Sequence, residues 1–211
     1  MERNKMKNTF IKWLPLIIGI CLIAGGGIYV GTKIYDYHKS VTEYDSLHND
    51  YVTEGGTKEG KTPKQTDSDG ASPSSITKEI WSEPYPQPPE IDWGGLKEEA
   101  PDLVAWVSVP CAEISYPVVQ GEDNEEYLHR NVSGGYSYAG SIFLDAENDY
   151  HFNDPHTIIY GHNMRNGSMF ASLNGISGET IKECPYIWIC TPTRDIIYQI
   201  VSVHPAATED D

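Results

Sequence analysis

The apolar positions of this chain form one long run near the N-terminus and many short runs in its second half. Residues 13–30, WLPLIIGICLIAGGGIYV, carry no charge and are flanked by lysines. An uncharged run of this length is at the lower limit for a helix that crosses a bilayer. The pattern predicts a transmembrane anchor over residues 13–33, preceded by a short cytoplasmic segment over residues 1–12.

The distribution of basic residues predicts the orientation of this helix. Four basic residues, Arg3, Lys5, Lys7 and Lys12, precede the apolar run and Lys33 alone follows it closely, and the positive-inside rule then keeps the N-terminus in the cytoplasm and places the rest of the chain outside the cell. A cleaved signal peptide also begins with a charged stretch and an apolar region. Because the run is longer than a usual signal core and no clear small-x-small site follows it, we favour an uncleaved, single-pass anchor in the cell membrane.

Between residues 34 and 89 the apolar periodicity disappears. Gly, Ser, Thr, Pro and charged residues dominate, above all in residues 55–75. Such a composition buries too little apolar surface to offset the entropy of ordering the chain. Residues 34–47 could continue the membrane helix for a few turns, and the proline-rich YPQPPE at 85–90 ends any such helix. We predict an extracellular, largely disordered spacer over residues 34–89.

The remaining segment, residues 90–211, reads as a folded domain. Asp92 is a predicted N-cap of a short helix that reaches Ala100. Asp123, with Glu126 in a capping box, and residues 168–173 predict single turns in loops. Short runs of β-branched and aromatic residues predict strands at 104–109, 114–119, 141–144, 157–160, 186–190 and 196–203, the last two as a hairpin. This pattern is typical of a mostly β fold, a barrel or a sandwich, with small helices in its loops.

The net charge argues against nucleic-acid binding. Five of the 15 basic residues but only one of the 31 acidic residues lie at or before position 33, which leaves a formal charge of −20 on the remainder. A body this acidic is repelled by phosphate backbones. We therefore expect no nucleic-acid partner.

Candidate chemistry centres on residues 157–170, TIIYGHNMRNGSMF. An apolar strand there delivers His162 into a loop bounded by glycines. Imidazole titrates near neutrality and is suited to moving protons in catalysis. Such a histidine needs a nucleophilic partner elsewhere in the chain.

Four blocks, in order, carry a resemblance to a known family: IDWGGLKEEAPDLVAWVSVP, ISYPVVQGEDNEEYLHRN, AGSIFLDAEN and HTIIYGHNMRNGSMFASL. Together they resemble class B sortases, the membrane-anchored cysteine transpeptidases of Gram-positive bacteria. The resemblance implies an eight-stranded β-barrel. It also implies that a thiolate attacks a backbone carbonyl of a sorting signal, and that an amine of a peptidoglycan precursor resolves the acyl-enzyme and so anchors a surface protein to the cell wall.

The resemblance also implies roles for individual residues. His162 matches the family histidine, which is expected to protonate the leaving amine and deprotonate the incoming one. Tyr160 matches a residue that lines the site, and Asn124 and Leu128 match positions near the groove for the sorting-signal peptide. For Leu128 and Tyr160, ordinary core packing is an equally good explanation. No cofactor is implied.

The sequence departs from the family pattern where the nucleophile is expected. The family places it at the end of the seventh strand in a Thr-Leu-x-Thr-Cys pattern, with an arginine on the eighth strand, and neither is found. We therefore predict a partial sortase domain that lacks the last two strands. Either the enzyme continues beyond Asp211, which we favour, or the chain is a catalytically inactive, membrane-tethered module that at most binds peptide. Reading the DNA beyond the Asp211 codon separates the two.

The other cysteines and the acidic loop offer weaker alternatives. Cys190 is followed by Arg194, but it lies on the wrong strand and reads as a buried core residue. Cys21 lies in the membrane run and Cys111 in a turn, and a disulfide between Cys184 and Cys190 stays open. Six potential metal ligands crowd together, yet their spacing fits no known metal motif, so we predict an acidic surface loop without a metal: Asp145, Asp149, His151, Asp154, His156 and His162.

Overall fold

The computed structural model describes residues 2–53 and 87–205, with side chains described from residue 18 onward. A long helix α1 leads into a mostly β domain. Its helices are α1 (Glu2–Tyr51), α2 (Trp93–Glu99) and α3 (Gly178–Glu183). Its strands are β1 (Val52–Thr53), β2 (Glu90–Ile91), β3 (Leu103–Val109), β4 (Ile114–Val119), β5 (Ile142–Leu144), β6 (Ile159–Tyr160), β7 (Tyr186–Cys190) and β8 (Asp195–Gln199).

The main sheet has six strands in the order β6-β5-β4-β3-β7-β8. All neighbours are antiparallel except β4 and β5, which run parallel. The six predicted strands are all present, although those predicted to start at residue 157 and to end at residue 203 are shorter. Short 3₁₀ helices lie in the loops at Pro110–Ala112, Glu126–Leu128 and Ala171–Gly175. The mostly β prediction with small helices in the loops is confirmed.

The core lies around the central strands. Trp106 of β3 is fully buried, and its indole nitrogen donates a hydrogen bond of 3.0 Å to the Ser115 hydroxyl on β4. All three residues of β5 are buried. Strands buried on both faces need apolar side chains throughout, which explains why these runs lack strict alternation.

Helix α1 contains the predicted anchor segment and also a second half that packs on the β domain. Among the described residues it is the one helix long and apolar enough to cross a membrane, by length and composition. Its second half docks on the β domain: Ser40, Tyr44 and Leu47 are buried, and the Tyr44 hydroxyl donates a 2.7 Å hydrogen bond to the Gly140 carbonyl. Strand β1 then pairs with β2, which ties the end of the helix to the domain.

This docking corrects the predicted spacer over residues 34–53. Tyr37, Ser40, Tyr44, Leu47 and Tyr51 recur at alternating intervals of three and four residues, and such a spacing brings side chains to one face of a helix. The buried face gains enough contact with the domain to offset the ordering of the chain. The spacer prediction for residues 54–86 lies outside the described residues.

The predicted caps are confirmed in part. Asp92 accepts hydrogen bonds from the backbone amides of Gly94 and Gly95, as an N-cap should. Asp123 accepts from the amide of Glu126 at 2.9 Å. The capping box is wrong, because the Glu126 carboxylate accepts from the Glu122 amide at 3.0 Å instead of returning to Asp123. Helix α3 was not predicted.

Candidate active site

His162 follows β6 after a single residue, Gly161, whose surroundings leave little room for a side chain. A Cβ on Gly161 would collide with the side chains of Ile142 and Phe170. The backbone at Gly161 therefore lies close to the side chain of Ile142 on β5. The His162 carbonyl then accepts a 3.0 Å hydrogen bond from the Phe170 amide, which closes the following loop.

The far end of that loop is fixed to the sheet. Met169 is buried, and its amide donates a 3.1 Å hydrogen bond to the Tyr116 hydroxyl on β4. Asn163 and Met169 form an isolated antiparallel bridge across the loop. His162 is thus held from both sides by backbone contacts.

The imidazole of His162 is half-buried and faces a second histidine. The ring centroids of His162 and His129 are 5.8 Å apart, with the rings edge to face. Burial lowers the pKa of His162 and the nearby His129 lowers it further, while a hydrogen bond with the Ala139 backbone acts in the opposite direction. Burial disfavours the charged imidazolium, so the ring is a neutral base at neutral pH.

Two of the predicted binding residues meet on one carboxylate. The Tyr160 hydroxyl and the Asn124 amide nitrogen each donate a 2.9 Å hydrogen bond to Asp145 Oδ2. The Asn124 side-chain oxygen also accepts from the Ala146 amide at 2.8 Å. Hydrogen bonds from the Glu147 backbone, then Tyr160 and then Asn124, lower the pKa of Asp145. The carboxylate is therefore an ionised acceptor that orients both side chains.

Asp145 was not predicted as their partner. Tyr160 also packs its ring on Phe143 of β5, at a centroid distance of 5.1 Å, so it contacts the sheet as well as Asp145. The signal that could have identified Asp145 is its position directly after strand β5, which lies beside β6 and Tyr160.

Leu128 ends the 3₁₀ helix Glu126–Leu128 and packs, partly buried, against the core. Its carbonyl lies so close to Gly140 that a Cβ there would collide with it. The next residue, His129, is the one that faces His162. Sequence reasoning chose Leu128 and missed His129, although the two are adjacent.

None of the four cysteines is among the groups that shift the pKa of His162 in the described part of the chain. Cys190 is buried, and its thiol interacts with the Asp195 carboxylate; burial first, then that carboxylate, raises its pKa to about 12. Cys111 interacts with Cys184. The predicted core role of Cys190 is confirmed.

Arg194 also points away from His162. Its guanidinium donates hydrogen bonds of 2.6 Å to the His151 carbonyl and 3.0 Å to the Asn153 side chain. It thereby fixes the loop that carries Phe152, a buried non-glycine residue with a φ of 57°. Arg194 is a structural residue of this loop.

The acidic loop organises its own backbone. Asp154 accepts from the Asp149 amide at 2.7 Å and from the Asn148 side chain at 2.9 Å. Asp149 accepts from the His151 amide at 3.0 Å. Within residues 18–53 and 87–205, no group of three His, Cys, Asp or Glu side chains is arranged to hold a metal ion.

Comparison with known proteins identifies proteins that are similar to this chain. No family model matches the sequence. Sortase B of Listeria monocytogenes is 51% identical over 170 residues, which are 80% of this chain and 58% of that protein. Sortase B of Staphylococcus aureus is 35% identical over 69 residues, 33% of this chain and 28% of that protein.

A solved structure agrees on the fold. The crystal structure of sortase B from Bacillus anthracis in complex with AAEK1 superposes with a TM-score of 0.57 and 23% identity, covering 84% of this chain and 76% of that one. The described domain, an open and mostly β sheet with His162 after its edge strand β6, therefore has the sortase fold. The chain belongs to the class B sortase family. Its match spans 58% of the Listeria relative, less than two thirds.

Proposed function

We propose that this chain is the histidine-bearing part of a membrane-anchored cysteine transpeptidase that cleaves a sorting signal and joins the surface protein to the cell wall through an acyl-enzyme. One observation carries the proposal most. His162 is held half-buried, with its pKa lowered by burial, at the end of a strand in a sortase fold. A neutral imidazole so placed can accept and return a proton at each of the two acyl transfers.

The proton steps follow from the state of this ring. The neutral His162 ring accepts the proton of the attacking thiol, and when the resulting thiolate displaces the peptide amine from the scissile carbonyl, the imidazolium returns that proton to the leaving amine. The incoming amine of a peptidoglycan precursor must then lose a proton, which the neutral ring accepts. The lowered pKa of His162 favours the neutral form and hence the second step.

The substrate is a sorting-signal peptide, and the residues around Asp145 are suited to bind it. Tyr160 is 36% exposed, so the face of its ring that does not pack on Phe143 is available to a ligand. Asn124 is oriented by two hydrogen bonds, which limits the entropy that a bound peptide would cost. We assign Asn124, Leu128 and Tyr160 to the peptide groove.

The thiol that His162 serves is none of the four cysteines in the chain, because the described interactions of Cys111, Cys184 and Cys190 are with other groups and Cys21 lies on helix α1. The same observation favours a second candidate function, a membrane-tethered module that binds a peptide without cleaving it. Activity therefore decides between the two.

The proposed location is the cell membrane, with the N-terminus in the cytoplasm and the β domain outside. Helix α1 has the length and composition of a membrane span. Lysines and one arginine precede its apolar run, which is the charge bias of a cytoplasmic end.

The test is peptide cleavage in the presence of hydroxylamine, an amine acceptor, with a panel of fluorogenic sorting-signal peptides. We expect no turnover by residues 1–211 alone, and turnover when the reading frame beyond the Asp211 codon is included. His162→Ala should then reduce kcat/KM by several orders of magnitude, because it removes the proton shuttle from both transfers. His156→Ala, a change at an exposed histidine of the acidic loop, is the matched control.

Three results would contradict the transpeptidase. They are full activity of the His162→Ala protein, equal loss in the His156→Ala control, and no turnover by the extended chain with any peptide. If the last result were accompanied by saturable peptide binding, the binding module would be the better description.

A further inference from the structure

Two cysteines far apart in the sequence lie beside each other across the sheet. Cys111 belongs to the 3₁₀ helix Pro110–Ala112, directly after β3. Cys184 is the C-cap of helix α3, directly before β7. Strands β3 and β7 pair antiparallel, with Ser108 opposite Trp188. Three more residues in that register bring Cys111 opposite Pro185, the neighbour of Cys184.

Contacts beyond the sheet support the same placement. The 3₁₀ helix Pro110–Ala112 contacts both β7 and α3. Cys184 lies close enough to act on the Cys111 thiol, and burial together with the proximity of Cys184 raises the pKa of that thiol. Both side chains are partly exposed, so a small oxidant can reach them.

The spacing suits a covalent bond. Cys111 and Cys184 lie just beyond the paired residues of β3 and β7, on segments that contact each other, so they are spatial neighbours without being a register pair. A disulfide spans Cα separations of about 4.4–6.8 Å. Small adjustments of the turn and of the helix end would therefore bring the two sulfur atoms to bonding distance.

We propose that Cys111 and Cys184 are a disulfide-forming pair that joins the turn after β3 to the end of helix α3. The oxidant is a disulfide-bearing compound or a thiol–disulfide oxidoreductase. One protein thiolate attacks the oxidant's disulfide and forms a mixed disulfide, and one sulfur of the oxidant leaves as a thiolate. The second protein thiolate then displaces the other sulfur. The protein loses two electrons and two protons, and the oxidant becomes two thiols.

The other two cysteines lie outside this pair. Cys190 is 1% exposed and interacts with Asp195 across β7 and β8. Cys21 lies on helix α1, in the run of exposed apolar residues. Cys184 thus has Cys111 as its neighbour, and the pairing of Cys184 with Cys190 that the sequence left open is not the one the fold favours.

Formation of this bond in the cell depends on the proposed extracellular location of the domain, since disulfides persist outside the reducing cytoplasm. The bond itself depends only on the fold. Neither cysteine is among the groups that shift the pKa of His162, and the crosslink is expected to stabilise the domain.

The test uses the full 211-residue chain, purified in detergent under reducing conditions and then treated with oxidised glutathione. Free thiols are counted after denaturation, and the crosslinked peptides are identified by mass spectrometry. We expect the four thiols to fall to two, with Cys111 joined to Cys184. The melting temperature should rise by about 10 °C on oxidation, because a long closed loop loses much chain entropy in the unfolded state.

Two variants test whether the crosslink joins Cys111 to Cys184 and not to another cysteine. Cys21→Ser, the matched control, should give the same crosslink and the same rise in melting temperature. Cys111→Ser should abolish both. Four remaining thiols, a bond from Cys184 to Cys190, or disulfide-linked dimers in the oxidised wild-type chain would each overturn the proposal. Because no step measures peptide cleavage, these results are independent of the transpeptidase test.

Discussion

Replacing Tyr44 by phenylalanine tests whether the second half of helix α1 is part of the folded domain. The Tyr44 hydroxyl donates to the Gly140 carbonyl at 2.7 Å and lies 3.1 Å from the Ser141 hydroxyl. Its ring, 4% exposed, packs edge to face on Tyr116 at a centroid distance of 5.5 Å. Phenylalanine keeps the ring packing and removes only the hydroxyl.

The expected cost follows from the partners that remain. The Ser141 hydroxyl still donates to the Arg130 carbonyl at 2.7 Å, so the main loss falls on the buried Gly140 carbonyl. A buried acceptor deprived of its donor costs about 1–2 kcal/mol. For a domain of this size, that corresponds to a fall of about 5 °C in melting temperature.

The assay is thermal unfolding of the full chain in detergent, followed by tryptophan fluorescence, because Trp106 is fully buried in the sheet. Tyr35→Phe is the matched control, since Tyr35 lies on the same helix and is 69% exposed. Its effect should stay within about 0.5 kcal/mol. If Tyr44→Phe and Tyr35→Phe unfold at the same temperature, the helix is not docked and our reasoning is wrong.

Three further predictions concern the site itself. Gly161→Ala should destabilise the domain by about 1–3 kcal/mol in denaturant unfolding, because the added methyl group has no room beside β5. His162 should titrate by NMR below its ordinary value of 6.5, and its contribution to stability should be present above pH 6.5 and disappear as the pH falls through the lowered pKa. Tyr160→Phe should raise the pKa of Asp145 in an NMR titration, because the carboxylate loses one of its donors.

Each of these has its control. Gly175→Ala adds the same methyl group where no atom lies within 4 Å, so equal destabilisation of both variants would refute the steric argument. A His162→Gln protein should lose part of its pH dependence between neutrality and acid, and an unchanged profile would contradict the assignment. Tyr150→Phe changes an exposed tyrosine outside the Asp145 cluster, and a similar shift of Asp145 there would mean that the Tyr160 bond is not its cause.

Local signals in the sequence were enough to place the strands and the histidine. The β-branched run around Trp106 is buried on both faces, the run around Ile189 is partly buried, and their turns are short, so strand positions are specified by nearby residues. Asp92 caps its helix through amides two and three residues away, which is again a local contact. His162 was identified in the same way, from the strand and the glycine that precede it in the sequence.

The features that the sequence did not predict depend on contacts between distant segments. From the sequence alone, Tyr44 is compatible with a spacer. Its role in docking is visible only when the fold brings the Gly140 carbonyl to its hydroxyl. The sequence predicted Asp145 as part of an acidic surface loop, and only the pairing of β5 with β6 brings Tyr160 to its carboxylate. Helix α3 has no buried residue, so no amphipathic pattern announces it, and its Ser177 cap is the main local signal.

In the proposed membrane orientation, the docked helix sets the distance between the bilayer and the β domain. An α-helix rises about 1.5 Å per residue, so the eleven or so residues between the end of the predicted span at Lys33 and the contact at Tyr44 correspond to about 16 Å. Gly140, held by Tyr44, follows Ala139, whose backbone bonds His162. If the proposed membrane anchoring holds, the helix fixes the height of the β domain above the bilayer, and the proposed peptide and amine substrates would have to meet in a thin layer just above the lipid headgroups.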